Sequence, residues 1–257
     1  MAALAALALA LAAPGGCGIP PLLPARPWAP GETLTFDVDV MGIVKAGTLQ
    51  LAVEAPMLSG SQIPLRARVR NTSVFAKIRR VKGVALSWVD ARTLRPQRFR
   101  DDVDQDGVRR TTDTRLDRPG PTVEMAWTSG PDRGTTAFER RQEVLDALSA
   151  VYLLRAAELR PGTAVCFDLV ANRRYWRLSG TVAEKVERVR SGAGEYPTVR
   201  LDARLVRADD PTQGRPLHLW FSTDSRRLPV AVVSEVDLGP VRAMLARVSP
   251  AGGTGPR

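Results

Sequence analysis

Hydrophobic and polar residues alternate through most of this chain. Leu34, Phe36, Val38 and Val40 take every second position, and after a glycine-flanked turn over 42–47 the alternation resumes at Leu49, Leu51 and Val53. This is the signature of a β-hairpin with one buried face. A third strand is predicted over 63–69, then a short helix over 74–81 with Phe75 and Ile78 on one side. Further strands follow at 84–89, 97–103, 108–116 and 123–127. Late in the chain they recur at 164–169, 175–186, 198–206, 217–222, 230–236 and 241–245. In the stretch 198–206, Val199, Leu201, Ala203 and Leu205 face one way while Arg200, Asp202 and Arg204 face the other. One wet face favours antiparallel pairing. Helices are not regularly interspersed, which argues against a parallel α/β fold.

A different rhythm appears in the middle. Leu145, Leu148, Val151, Tyr152 and Leu159 recur at helical spacing, Asp146 is placed to cap the first turn, and Pro161-Gly162 ends the run. With Ala147, Leu148, Ala150, Val151, Leu153 and Leu154 leaving little polar face, this helix, about 146–157, should be enclosed by other elements. The predicted fold is mainly β: a strongly curved antiparallel sheet or barrel-like domain of about ten strands, with one central helix packed against it.

The ends read differently. Residues 1–13 are a run of mostly Ala and Leu, too short to span a bilayer comfortably and suited to an export signal. Small residues before Cys17 resemble a bacterial lipobox, so 1–16 is read as a signal peptide and Cys17 as the lipid attachment site. Pro14 and the lack of a basic residue before the run depart from that pattern; the competing reading is an ordinary secretory leader with an incidental Cys17. Residues 17–30, rich in Pro, read as a stiff tether. A single domain is expected over 31–248 and a disordered tail over 249–257. If Cys17 is acylated, Cys166 is left as a buried thiol.

The net charge of +10 invites a nucleic-acid reading, but Lys occurs at positions 45, 77, 82 and 185 alone, so nearly all the basic residues are Arg. These alternate with apolar residues along strands, as in 65–70, and stacking aromatics or a recognisable motif are missing. No nucleic-acid partner is expected. The Asp102, Asp104, Asp106, Gly107 run resembles half a calcium loop, yet Asp106-Gly107 between alternating segments is a favoured hairpin turn, and a turn is expected. His218 is the sole histidine and lies in a strand without a nucleophile motif, and two cysteines exclude a cysteine-rich zinc site. No catalytic residue, metal or cofactor is assigned. Trp88, Tyr152, Trp176 and Trp220 are the candidates for lining an apolar cavity, with ordinary core packing the competing role.

Three stretches together are similar to the bacterial family called domain of unknown function 3108. Residues 30–36 with 42–47 resemble its opening hairpin, 146–155 its central helix, and 219–229 its closing strand pair. The resemblance covers about 30–248. It implies an exported protein and supplies no established catalytic residues. Ala147 stands where many relatives have Pro, and either residue suits a first helical turn.

The expected function is an exported cell-envelope protein of the periplasm or outer membrane, lipid-anchored at Cys17, that binds or carries a lipid or other apolar or amphipathic ligand. The alternative is a structural or assembly lipoprotein whose Arg-rich face docks an acidic partner or anionic envelope polymer. An enzyme is the least expected class. The oligomeric state is not readable.

Overall fold

The computed structural model describes residues 17–171, 173–236 and 239–251. The expected signal peptide, 1–16, and most of the expected disordered tail lie outside them. Sixteen strands and one α-helix make up the described fold. The first eight strands are β1 (Thr33–Val40), β2 (Val44–Val53), β3 (Gln62–Asn71), β4 (Val81–Asp90), β5 (Pro96–Gln105), β6 (Val108–Arg115), β7 (Thr122–Ser129) and β8 (Asp132–Glu139). They form a continuous antiparallel meander. Strand β9 (Val144–Asp146) leads into α1 (Ala147–Arg155). The chain then makes β10 (Ala164–Ala171), β11 (Arg174–Val182), β12 (Glu187–Ser191), β13 (Gly194–Arg207), β14 (Gly214–Ser222), β15 (Pro229–Val236) and β16 (Gly239–Ser249).

The two halves join at the middle of one sheet. Strand β1 pairs on one side with β2 and on the other with β16, and the order runs on through β15, β14, β13, β11 and β10 to β9. Only the pairing of β9 with β10 is parallel among the described strands. The sheet is open and strongly curved. Register shifts in β1, β4 and β14 bend it, since an extra residue on one strand increases local twist. At Gly180 a Cβ would lie 2.4 Å from the Asp202 carbonyl oxygen, so the close approach of β11 to β13 needs glycine there.

Side chains bring the two arms of the curl together where backbone pairing does not. Phe138 on edge strand β8 stacks on Tyr175 of β11, with ring centroids 5.1 Å apart. The Ser87 hydroxyl of β4 donates to Asp146 at 2.6 Å. Within the second arm, Tyr175 donates to the buried Asp168 carboxylate, which also accepts from the Gln142 amide, both at 2.9 Å.

Helix α1 starts as its sequence predicts. The Asp146 side chain accepts from the Leu148 and Ser149 amides, and Ser149 reciprocates towards the Asp146 amide, a complete capping box. The helix lies inside the curl with Leu148, Tyr152, Leu153 and Leu154 in the main core. No helix of the described residues is long and apolar enough to cross a membrane.

Three sequence expectations are corrected and one strand is added. The helix expected over 74–81 is one 3-10 turn, Phe75–Lys77; Phe75 is buried and Ile78 points to solvent. The Asn71 side-chain oxygen takes the Val81 amide and restarts the sheet before a helix can propagate. The strand expected over 175–186 ends at Val182 as β11, and the next strand, β12, begins only at Glu187; the long β13 pairs with both. Strand β8 was not expected: apart from Phe138 its residues are polar or small, as suits an edge. Residues 17–30 are not a free tether. Gly18 bridges Val165, Leu22 bridges Ala157, and the Trp28 indole donates to the Tyr152 carbonyl oxygen at 3.1 Å.

Candidate functional site

An apolar cavity of about 390 Å³ lies between α1 and the inner face of the sheet. Its walls are Phe, Leu, Ala, Val and Pro throughout. The helix contributes Ala147, Leu148, Ala150, Val151 and Leu154, three of them on successive turns of one face. Phe36, Phe99 and Phe167 supply aromatic surface from three separate strands. The space exists because inward positions carry alanine where a larger residue would fill it. Ala67 and Ala85 stand opposite each other on β3 and β4, and Ala243 stands between Val38 and Val232. In a core packed at ordinary density such positions would hold Leu or Ile.

Polar groups gather at one margin. Asp101 stands opposite Ala85 and two residues from Phe99, both of which line the cavity. Burial pushes its carboxyl up to about 6. Burial also raises Asp146, whose carboxylate is held by Ser87 and by the amides at the start of α1. These contacts fix the helix against β4 and so set the width of the cavity.

The four aromatic residues expected to line a cavity do not line this one. Trp88 is on the outer face beneath the Arg98 guanidinium, 5.6 Å away. Trp220 also lies outside, donating to Glu187 at 2.8 Å, while its neighbours Leu219 and Phe221 point inward. A one-residue change in strand parity separates the two faces. Tyr152 is buried edge-on against Trp28, with centroids 5.2 Å apart. Trp176 is buried with its indole N–H on the Ala171 carbonyl oxygen at 3.3 Å, at the end of the sheet beyond the cavity wall. The signal that marks the lining is the inward alanines within alternating segments, as at Leu65 and Ala67.

Cys17 is joined to Cys166 by a disulfide, which corrects the expected lipid attachment at Cys17 and free thiol at Cys166. A sulfur in a disulfide has no valence left for a thioether to lipid. The pairing follows from the docking of 17–30: the Cys166 amide donates to the Gly18 carbonyl oxygen at 3.0 Å, which puts the two residues side by side.

On the outer face, some arginines are paired with acids across strands. Arg98 pairs with Asp113, Arg109 with Asp102, and Arg200 with Glu187 and Asp202. His218 sits there too, its Nδ1 2.5 Å from Asp202. Asp106-Gly107 forms the β5–β6 turn, both with positive φ. No metal-binding group of three or more His, Cys, Asp or Glu occurs among the described residues.

The family model for "Protein of unknown function (DUF3108)" matches residues 22–246. The chain belongs to the DUF3108 family. No curated protein matches it. Among solved structures, the DUF3108 chain is similar to a β-barrel-like protein of the domain of unknown function DUF1849 from Brucella abortus. The TM-score is 0.55 at 11% identity, covering 86% of this chain and 98% of that one. A protein with a YmcC-like fold from Bacteroides fragilis gives a TM-score of 0.34 at 9% identity, covering 91% of this chain and 100% of that one. The first likeness establishes a shared barrel-like fold for the DUF3108 chain.

Proposed function

We propose that this DUF3108 protein is an exported cell-envelope protein that binds or carries an apolar or amphipathic molecule between α1 and the curved sheet. The observation that carries this reading is the cavity of about 390 Å³ with wholly apolar walls. Its size lies within the roughly 300–1,000 Å³ typical of small-molecule sites. The helix offers one apolar face to the space, and the Asp101 margin offers a place for a polar end. Export is supported by the apolar leader and by the Cys17–Cys166 disulfide, which persists in an oxidising compartment such as the periplasm.

The test is binding of a fluorescent long-chain fatty acid, dansylaminoundecanoic acid, to the purified protein, with native mass spectrometry after gentle extraction. Saturable fluorescence enhancement and retained lipid support the reading. Protein recovered empty and without saturable binding counts against it.

A further inference from the structure

We propose that the end of the sheet formed by the β1–β2 and β3–β4 turns docks on an anionic phospholipid surface. In the antiparallel meander these turns, with the β5–β6 turn, lie at the same end of neighbouring strands. There the structure exposes Met41 at 60%, Ile43 at 83%, Val74 at 68% and Ile78 at 69%. They are held together by Phe75, which is buried against Val40 and Ala46, and by the Thr72 amide and hydroxyl on the Ala46 and Lys45 carbonyl oxygens. Large apolar side chains concentrated on ordered turns mark an interaction surface.

The charge around them selects the partner. Three of the chain's four lysines, Lys45, Lys77 and Lys82, are at this end, together with Arg79 and Arg80. Among the described acids at this end four are engaged, while Glu235 on β15 is exposed. Asp37 pairs with Lys45 at 3.2 Å, Asp39 with Arg242 at 3.0 Å, and Asp106 and Asp104 accept backbone amides of Arg80 and Gly107. Lys77, Arg79 and Lys82 have no ion pair among the described residues. Beside them an open groove of about 550 Å³ on the outer face is lined by Arg68, Arg70 and Lys82, with Asp102 already paired to Arg109. Apolar tips that enter the acyl boundary, rimmed by bases at headgroup level, match an anionic bilayer. The Cys17–Cys166 bond is at the other end of the strands, so this surface is separate from the docked N-terminal segment.

Co-sedimentation of the purified protein with vesicles tests this. Vesicles of phosphatidylglycerol mixed with phosphatidylcholine should bind it, those of phosphatidylcholine alone should bind it weakly, and high salt should release it. Ile43→Ser with Ile78→Ser should weaken binding about tenfold or more, as should Lys77→Glu with Lys82→Glu. Because all four residues are exposed, unchanged melting temperatures show that the variants are folded. The proposal is overturned if the wild type ignores anionic vesicles, if the variants bind as the wild type does, or if the patch instead drives a concentration-dependent dimer that Ile43→Ser with Ile78→Ser abolishes.

Discussion

Arg155, in the last turn of α1, is fully buried and grips Glu32 with two bonds, Nη1 to Oε1 at 2.6 Å and Nη2 to Oε2 at 3.1 Å. Its guanidinium also donates to the carbonyl oxygens of Arg226 and Arg227. The pair therefore ties the helix to the segment entering β1 and to the β14–β15 turn. Arg155→Met should destabilise the fold by about 3–5 kcal/mol, because Glu32 is left buried without a cation. The double variant with Glu32→Met should lose less than the two single changes added together. Urea unfolding of the four proteins measures this; additive losses would show that the pair is not coupled.

The Asp101 carboxyl should make stability fall with pH. Its folded value of about 6 lies above the ordinary 3.8, so the native state holds the proton more tightly than the unfolded chain does. That stability is fully present below 3.8 and is lost as pH rises through about 6. Asp101→Asn, neutral at every pH, should gain about 1–3 kcal/mol over wild type at neutral pH and almost nothing near pH 4. Melting temperatures of both proteins across that range give the result, and parallel curves would contradict it.

Reduction of the disulfide should lower stability without removing the fold. It closes a loop of 149 residues, which in the chain-entropy model contributes up to about 5 kcal/mol. Cys17→Ser and Cys166→Ser should lower the melting temperature alike, since either change opens the same loop. Intact mass before and after reduction decides the chemistry at Cys17. A gain of two hydrogen atoms on reduction fits the disulfide, whereas a lipid-sized increment at the N-terminus would refute it.

Filling the cavity should separate stability from binding. Ala67→Leu and Ala243→Leu place methyl groups into existing space, so stability should hold within about 1 kcal/mol or rise. Affinity for the fluorescent fatty acid should fall about tenfold or more, because ligand and new side chain compete for one volume. Loss of stability with unchanged binding would place the ligand elsewhere.

The sequence by itself determined the class of fold, the helix and its cap, and the first and last strands, because these rest on local periodicity and local hydrogen bonds. Leu34 to Val40 alternate whatever their partners, and Asp146 reaches the Leu148 and Ser149 amides within its own turn. The tertiary structure alone decided what lies far apart in the chain. Strand parity says that Ala67 and Ala243 face inward, yet only the meeting of β1 with β16 and the curl of the sheet turns such alanines into the walls of one cavity. The same holds for Cys17 and Cys166, and for Arg155 and Glu32. Each partner carries no local sign of the other, because packing, not spacing along the chain, brings them within bonding distance.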